Sequence, residues 1–298
     1  MSEKVAILGA NGLIGGAVTA LFVEKGADVL CCAKEGGPVG DKEVALIDLT
    51  KEGALSKWLG KKKVSTVIYL ASAVPSSFEN LSSDLFETNL RMHREVLSYW
   101  EKTGCHLIFA SSCSVYGSKG PIPWREENAP SPENFYSISK LAGELMFDAR
   151  SDELPLTVFR INAPYGFPVG RKTVVNVFME RALEGTNLIL YGTGKRAQDL
   201  LYVRDIASAF WLAHSKKKYN TYNIASGETV TMRRLAEMVV DCAHSSSKIV
   251  NSGKPDPQEG VKVAVDVSRA RRELGFKPRY NLAKGLEALA KEYAKART

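Results

Sequence analysis

The stretch Lys4-Val5-Ala6-Ile7-Leu8-Gly9-Ala10-Asn11-Gly12-Leu13-Ile14-Gly15 decides the fold. Lys4 to Leu8 is a short β-branched and apolar run that ends in glycine. From Gly12 to Glu24, Ile14, Val18, Leu21 and Phe22 recur at helical spacing. Strand, glycine turn and helix therefore follow one another. In that context Gly9 permits a tight turn, Gly12 lets the backbone approach a pyrophosphate, and Gly15 lets the helix pack closely on the strand. A pyrophosphate so placed meets the positive end of the helix dipole. Without the flanking strand and helix, the same glycines would mark only a turn.

Outward from this unit, Asp28 to Ala33 and Val44 to Ile47 read as strands, and Thr50 to Trp58 as a short helix. Val64 to Leu70 is a strand with apolar residues on both faces. A long helix from Ser83 to Lys102, a strand from His106 to Ala110, a helix from Ser137 to Arg150 and a strand from Leu156 to Ile161 follow. The alternation predicts a parallel sheet covered on both faces. The final third changes character. It has longer loops around Gly166 to Thr173 and Asn251 to Val261, and short strands near Leu188 to Tyr191 and Thr221 to Ile224. Helices are expected at Arg204 to Ala213, Thr231 to Cys242, Val267 to Glu273 and Leu282 to Ala296. The expected architecture is α/β, a Rossmann-type doubly wound parallel sheet with a smaller C-terminal α/β substrate lobe. Residues 1–165, with returning segments from 195–225, form the dinucleotide-binding part, and residues 166–298 mainly the substrate-binding lobe. Ligands of such folds bind beyond the carboxyl ends of the strands.

The 298 residues carry a formal net charge of +7. The basic residues are scattered, and Lys61-Lys62-Lys63 and Lys216-Lys217-Lys218 are short runs. That pattern describes a solvated surface rather than a nucleic-acid patch, and a mildly positive surface suits phosphate-bearing ligands. Five cysteines, an odd number without metal-ligand spacing, argue against a disulfide framework and against a zinc site. Cys31-Cys32 reads as a pair of small core residues. No basic leader precedes a long apolar stretch, and the apolar run around Val67 to Val74 is too short to span a bilayer. A cytoplasmic protein without membrane, metal or nucleic-acid partners is expected.

Tyr136-Ser137-Ile138-Ser139-Lys140 places a tyrosine and a lysine on one helical face. A phenol, with an ordinary pKa of about 10, is a poor base at neutral pH. A neighbouring ammonium and an oxidised nicotinamide favour the phenolate, so the tyrosine can take or return a hydroxyl proton while hydride moves between carbon and nicotinamide. Upstream, Ala110-Ser111-Ser112-Cys113-Ser114-Val115-Tyr116-Gly117 closes a core strand, where a serine can bond the same substrate oxygen.

The order Gly-x-x-Gly-x-x-Gly, Tyr69-Leu70-Ala71-Ser72-Ala73, Asn89, Ser-Ser-x-x-Val-Tyr-Gly and Tyr-x-x-x-Lys resembles the nucleotide-sugar epimerase/dehydratase branch of the extended short-chain dehydrogenases/reductases. Tyr165-Gly166, Tyr191-Gly192-Thr193-Gly194, the run Asp199 to Asp205, Tyr222-Asn223-Ile224-Ala225 and Leu274 to Pro278 extend the likeness over nearly the whole chain. The resemblance implies a catalytic triad of Ser112, Tyr136 and Lys140. It implies cofactor contacts from Gly9, Asn11, Gly12, Leu13, Ile14, Gly15, Lys34, Asp48, Leu49, Ala71, Lys140 and Pro164. On the substrate side it implies Ser112, Ser114, Asn162, Tyr165 and Arg196. The cofactor is NAD or NADP. Ala33-Lys34 stands where an acidic residue usually meets the ribose of NAD, which tips the balance to NADP, although Glu35 could serve the ribose. Asp48 is either an acceptor for the adenine amino group or a turn and cap residue.

The sequence departs from the resemblance in places. Cys113-Ser114 stands where the 4,6-dehydratases carry Asp-Glu, which argues against that dehydration. Asn162 comes one residue early, Gln198 stands where an arginine is common, and no arginine precedes the late segment Gln258-Glu259-Gly260. Such arginines grip a diphosphate in bidentate fashion. Arg196, Arg171 and Lys172 could take their place, or could be ordinary surface charges. The expected reaction is C4 epimerisation of a nucleotide sugar through a keto intermediate, with NADPH-dependent reduction of a 4-keto sugar nucleotide as the alternative. A non-catalytic dinucleotide-binding subunit on the same fold is a third reading, opposed by the retained tyrosine and lysine. The family's habit of pairing two helices per subunit implies a homodimer through Ser83 to Lys102 and Ser137 to Arg150.

Overall fold

The computed structural model describes residues 3–75, 82–167 and 172–297. In chain order the elements are β1 (Lys4–Leu8), α1 (Leu13–Glu24), β2 (Asp28–Ala33), β3 (Val44–Leu46), α2 (Ala54–Leu59), β4 (Val64–Tyr69), α3 (Ser83–Thr103), β5 (His106–Ser112), α4 (Phe135–Asp148) and β6 (Leu156–Ile161). They continue as β7 (Pro164–Tyr165), α5 (Val174–Leu183), β8 (Leu188–Leu190), β9 (Ala197–Asp199), β10 (Leu201–Tyr202), α6 (Val203–Lys216), β11 (Thr221–Ile224), β12 (Thr229–Thr231), α7 (Met232–Cys242), β13 (Ile249–Asn251) and α8 (Leu282–Arg297).

Seven strands form one sheet in the order β11-β6-β5-β4-β1-β2-β3, and each neighbouring pair is parallel. The strand order reverses between β1 and β4, so a crevice opens there above the carboxyl edge. Buried on both faces, the inner strands are mostly apolar, with Thr66, His106, Ser111, Thr157 and Arg160 as buried polar exceptions. Val5, Ile7, Ile68, Ile108 and Phe159 face α1 and α6, packing with Val18, Phe22, Ile206 and Phe210. Ala6, Leu8, Val67, Leu107 and Val158 face the other way, against Leu55, Val96, Trp100 and Phe147 of α2, α3 and α4. Truncating a ring such as the fully buried Phe147 to alanine costs about 3–5 kcal/mol. A third core, with Phe178, Met179, Leu235, Val239, Leu286 and Leu289, joins α5, α7 and α8. Among the described residues no helix is long and apolar enough to cross a membrane.

The boundaries depart from expectation where a polar side chain intervenes. The helix expected from Thr50 begins at Ala54. Asp48 holds Thr50 in a turn, Gly53 has φ +73°, and Glu95 of α3 accepts from the amides of Gly53 and Leu55 at 2.7 Å each. The tyrosine helix begins at Phe135, because Asn134 and Ser137 cap each other's backbone. The helix expected over Val267 to Glu273 is present over 268–274, wound as a π-helix at Ala270–Leu274 and closed by Gly275 in the left-handed region. Thr221 to Ile224 joins the large sheet, as its edge strand beside β6.

Candidate active site

The turn after β1 is made by backbone. Gly9 has φ +87°, and a Cβ there would stand 2.7 Å from the amide nitrogen of Ala71. Gly15 is tighter still, since its Cβ would fall 2.0 Å from the carbonyl oxygen of Gly9. Gly12 is different. A Cβ there would meet only Gly9 O, at an ordinary 3.5 Å, so internal packing does not demand glycine. What the missing side chain preserves is room outside the turn. Gly12 is also the N-cap of α1, and no side chain caps that helix. Its first amides are therefore offered outward, which fits the pyrophosphate of a dinucleotide. Asn11 braces the turn from above by donating to the carbonyl oxygen of Glu35. Lys34 is exposed just beyond β2, and Leu49 is buried in the core below. Asp48 accepts from Thr50 N at 3.0 Å and Thr50 Oγ1 at 2.7 Å, bonds that hold its carboxyl below the usual range. Leu13 and Ile14 are half-buried at the start of α1, and Pro164 pairs with Leu201 in a short ladder.

Ser112 ends β5 and accepts from Ser114 N at 3.1 Å and Ser114 Oγ at 2.9 Å. Neither bond uses its own hydroxyl hydrogen, which remains to be donated. Tyr136 lies in the first turn of α4, half-buried, and Lys140 lies one turn on. The Lys140 ammonium donates to Ala110 O at 2.9 Å and stands 5.8 Å from the centre of the Tyr136 ring. Burial pushes the Lys140 pKa down to about 7, against the opposing pull of the Glu144 carboxylate. The lysine therefore changes charge near neutrality.

The tyrosine helix is held from α3. Asn89 donates to Ser139 Oγ at 2.9 Å, and Ser139 Oγ donates to the carbonyl of Tyr136 at 2.7 Å. His93 donates from Nε2 to the carbonyl of Ser139 at 3.0 Å and accepts at Nδ1 from the Tyr69 hydroxyl at 2.9 Å. Burial first, and Lys140 second, lower the His93 pKa to about 3, so the ring is neutral. Asn89 and His93 sit one helical turn apart. A polar pair on the buried face of a long helix was the signal that sequence reading could have used for His93.

Several substrate-side residues serve the fold here. Asn162 is buried and donates to the carbonyl of Asp199 at 2.6 Å. The next residue, Ala163, has φ +25°, an unusual value for a residue with a Cβ. Tyr165 is 1% exposed, packs on Tyr202 and lies where a Cβ on Gly285 would collide with its hydroxyl, so it offers a ligand no surface. Arg196 stands 2.9 Å (Nε) from an Asp256 carboxylate oxygen and donates from Nη1 to Gln258 at 2.8 Å. Its Nε hydrogen is not aimed at that oxygen, so the first contact is a charge pair without a hydrogen bond. Lys172 pairs with Glu180, and Arg171 lies outside the described residues.

A parallel sheet with its reversal at β1 and β4, an open glycine turn, and a lysine beside Tyr136 that is tied to Ala110 of the strand ending in Ser112 are features of a dinucleotide-dependent enzyme of the short-chain dehydrogenase/reductase type. The profile of the NAD dependent epimerase/dehydratase family matches residues 5–225, and the chain belongs to that family. It is 26% identical over 246 residues to dTDP-4-dehydro-6-deoxyglucose reductase of Escherichia coli, covering 80% of this chain and 77% of that one. It is 25% identical over 299 residues to a putative UDP-glucose 4-epimerase of Methanocaldococcus jannaschii, covering 95% and 96%. The fold superposes on UDP-glucose 4-epimerase with UDP-glucose from Thermotoga maritima with a TM-score of 0.91 at 24% identity, over 99% of this chain and 100% of that one.

Proposed function

We propose that the protein epimerises a nucleotide-activated sugar at C4 through a transient 4-keto sugar. The observation that carries this reading is the lysine one turn from Tyr136, anchored on the strand that ends in Ser112. A bound nicotinamide supplies the acceptor and donor of hydride. Tyr136 takes the C4 hydroxyl proton, Lys140 stabilises the phenolate, and Ser112 donates to the substrate oxygen as it becomes a carbonyl. Ser114 fixes Ser112. Once the keto sugar has turned to present the other face of C4, Tyr136 returns the proton to the C4 oxygen. In this reading the β1–α1 turn, from Gly9 through Asn11, Gly12, Leu13 and Ile14 to Gly15, holds the dinucleotide. Lys34, Asp48 and Leu49 flank its adenosine end, and Ala71, Pro164 and Lys140 its nicotinamide end. Residues 1–165, with the returning β9 to β11 region, bind the cofactor. The remaining lobe, with Arg196, receives the nucleotide of the substrate.

A second reading, an NADPH-dependent reductase of a 4-keto sugar nucleotide, is favoured by Ala33-Lys34, where a cation suits a 2′-phosphate. A 4,6-dehydration is disfavoured. Cys113 is fully buried, donates to the carbonyl of Arg160, and has its thiol pKa raised by burial, so it is no acid/base for removing water. Exposed Ile138 and Leu145 on α4 suit a homodimer through α3 and α4; light scattering should then give twice the monomer mass, and a monomer mass would contradict it. The deciding experiment incubates the enzyme with a panel of nucleotide sugars, with and without NADPH. The epimerase interconverts C4 epimers with no net change in cofactor. Stoichiometric loss of NADPH assigns the reductase instead. Undiminished turnover in Tyr136→Phe contradicts both.

A further inference from the structure

One turn beyond Lys140, on the same face of α4, stands a carboxylate that the steps above do not use. Glu144 is 6% exposed. Arg160 of β6 donates to it from Nε at 3.1 Å to each oxygen and from Nη2 at 2.7 Å to Oε2. Ser111 of β5 donates to its Oε1. Ser111 lies between Ala110, whose carbonyl accepts from Lys140, and Ser112. Two successive residues of β5 are thus tied to two successive turns of α4. Arg160 is fixed in turn, since its Nη1 donates to the Tyr116 hydroxyl at 2.9 Å and that hydroxyl donates to Asn223 at 2.8 Å.

The surroundings of Lys140 give this arrangement a consequence. From β5 it meets the Ala110 carbonyl and, at 5.2 Å, the Phe109 ring. From α3 it faces the His93 imidazole, and from its own helix Tyr136 and Glu144. With burial driving the ammonium toward neutrality, the Glu144 carboxylate opposes the loss of charge. A buried ion pair kept for stability alone is poorly explained, because well-packed apolar residues often do as well.

We propose that Glu144, clamped by Arg160 and Ser111, is a positioning residue that keeps Lys140 charged beside Tyr136 and fixes the tyrosine helix on the strand that carries Ser112. The proposal rests on the acid/base reading of Tyr136 and Lys140, and the two can fail separately.

The test compares pH profiles of kcat, together with the Lys140 titration followed by heteronuclear NMR in the cofactor-free protein and assigned with Lys140→Arg. Glu144→Gln keeps the shape and removes the charge. The expected result is a Lys140 midpoint and an alkaline limb of kcat displaced to lower pH by roughly one unit, the scale on which a nearby charge moves a pKa, with KM little changed. Glu144→Asp keeps the charge and restores the limb toward wild type. Because Glu144→Gln leaves a buried guanidinium unpaired, Glu144→Gln/Arg160→Met removes both charges and serves as the variant that folds. It shows a displacement in the same direction, smaller because the opposing guanidinium charge is also gone. A Lys140 midpoint and alkaline limb at wild-type positions in both variants, or failure of both to fold, makes the pair purely structural and overturns the proposal. Failure of the acid/base reading itself shows instead as undiminished turnover in Tyr136→Phe.

Discussion

The turn from Gly9 to Gly15 and the corner where Gly192–Arg196 meets Lys254–Glu259 are the two places proposed to meet phosphate. The first is backbone and space. Two of its glycines are forced by contacts of 2.0 and 2.7 Å, the third keeps room outside, and no side chain caps the helix behind it. The second is side chains bonded to one another. Arg196 is engaged by Asp256 and Gln258, Glu259 accepts from Thr193, and Lys254 O accepts from Gly192 N at 2.9 Å. A site made of backbone amides keeps its donors free for a ligand. A site made of an arginine can be neutralised from within by one acidic neighbour. In the proposed assignment, the dinucleotide end has donors ready for a ligand, while at the substrate end Arg196 would exchange an internal partner for it.

Gly15→Ala should break the comparison hardest. Its Cβ would meet Gly9 O and the carbonyl of Ala10 within 2.8 Å, backbone atoms that cannot swing aside. A loss of about 3 kcal/mol or more is expected, along with loss of dinucleotide binding, read by thermal melting and by cofactor titration.

Lys140→Met probes the ground between the two corners. Turnover should be lost while the melting temperature at pH 7 rises above wild type. The sign follows from the lowered lysine pKa of about 7, against an ordinary 10.5. Between those values the unfolded chain binds a proton that the folded chain does not, so the lysine opposes folding most below pH 7 and least above the ordinary value. The melting advantage of the variant should shrink as pH rises from 7 toward 10. A constant difference across that range would contradict a lysine buried at this cost.

Asp256→Ala should have the smallest effect and sharpens the contrast most. It frees Arg196, so a nucleoside diphosphate should bind about three- to tenfold more tightly by calorimetry, on the scale of one charge-assisted hydrogen bond. Unchanged binding would place the diphosphate away from Arg196.

The sheet was legible because burial on both faces gives Val67-Ile68-Tyr69 and Val158-Phe159 as short apolar and β-branched runs between helical segments. Tyr136 and Lys140 were legible because helical spacing alone puts them on one face. Glu144 and Arg160 were not. In sequence each looks like a solvated charge, and only the juxtaposition of α4 with β6 pairs them. Asn162 and Tyr165 carried the motif of a substrate wall, yet their side chains point into packing made by Asp199 and Tyr202, which lie more than thirty residues on. The start of α2 was misplaced because its cap comes from Glu95 on another helix. Local pattern reveals what period and composition enforce, and misses what a distant side chain supplies.

The most direct test of the central claim uses a nucleotide sugar carrying deuterium at C4, turned over by the wild-type enzyme in ordinary water. Hydride removal and return through the nicotinamide predicts that the C4 epimer keeps its deuterium, with the epimer absent in Tyr136→Phe. Product in which the C4 deuterium has been replaced from solvent would contradict the account.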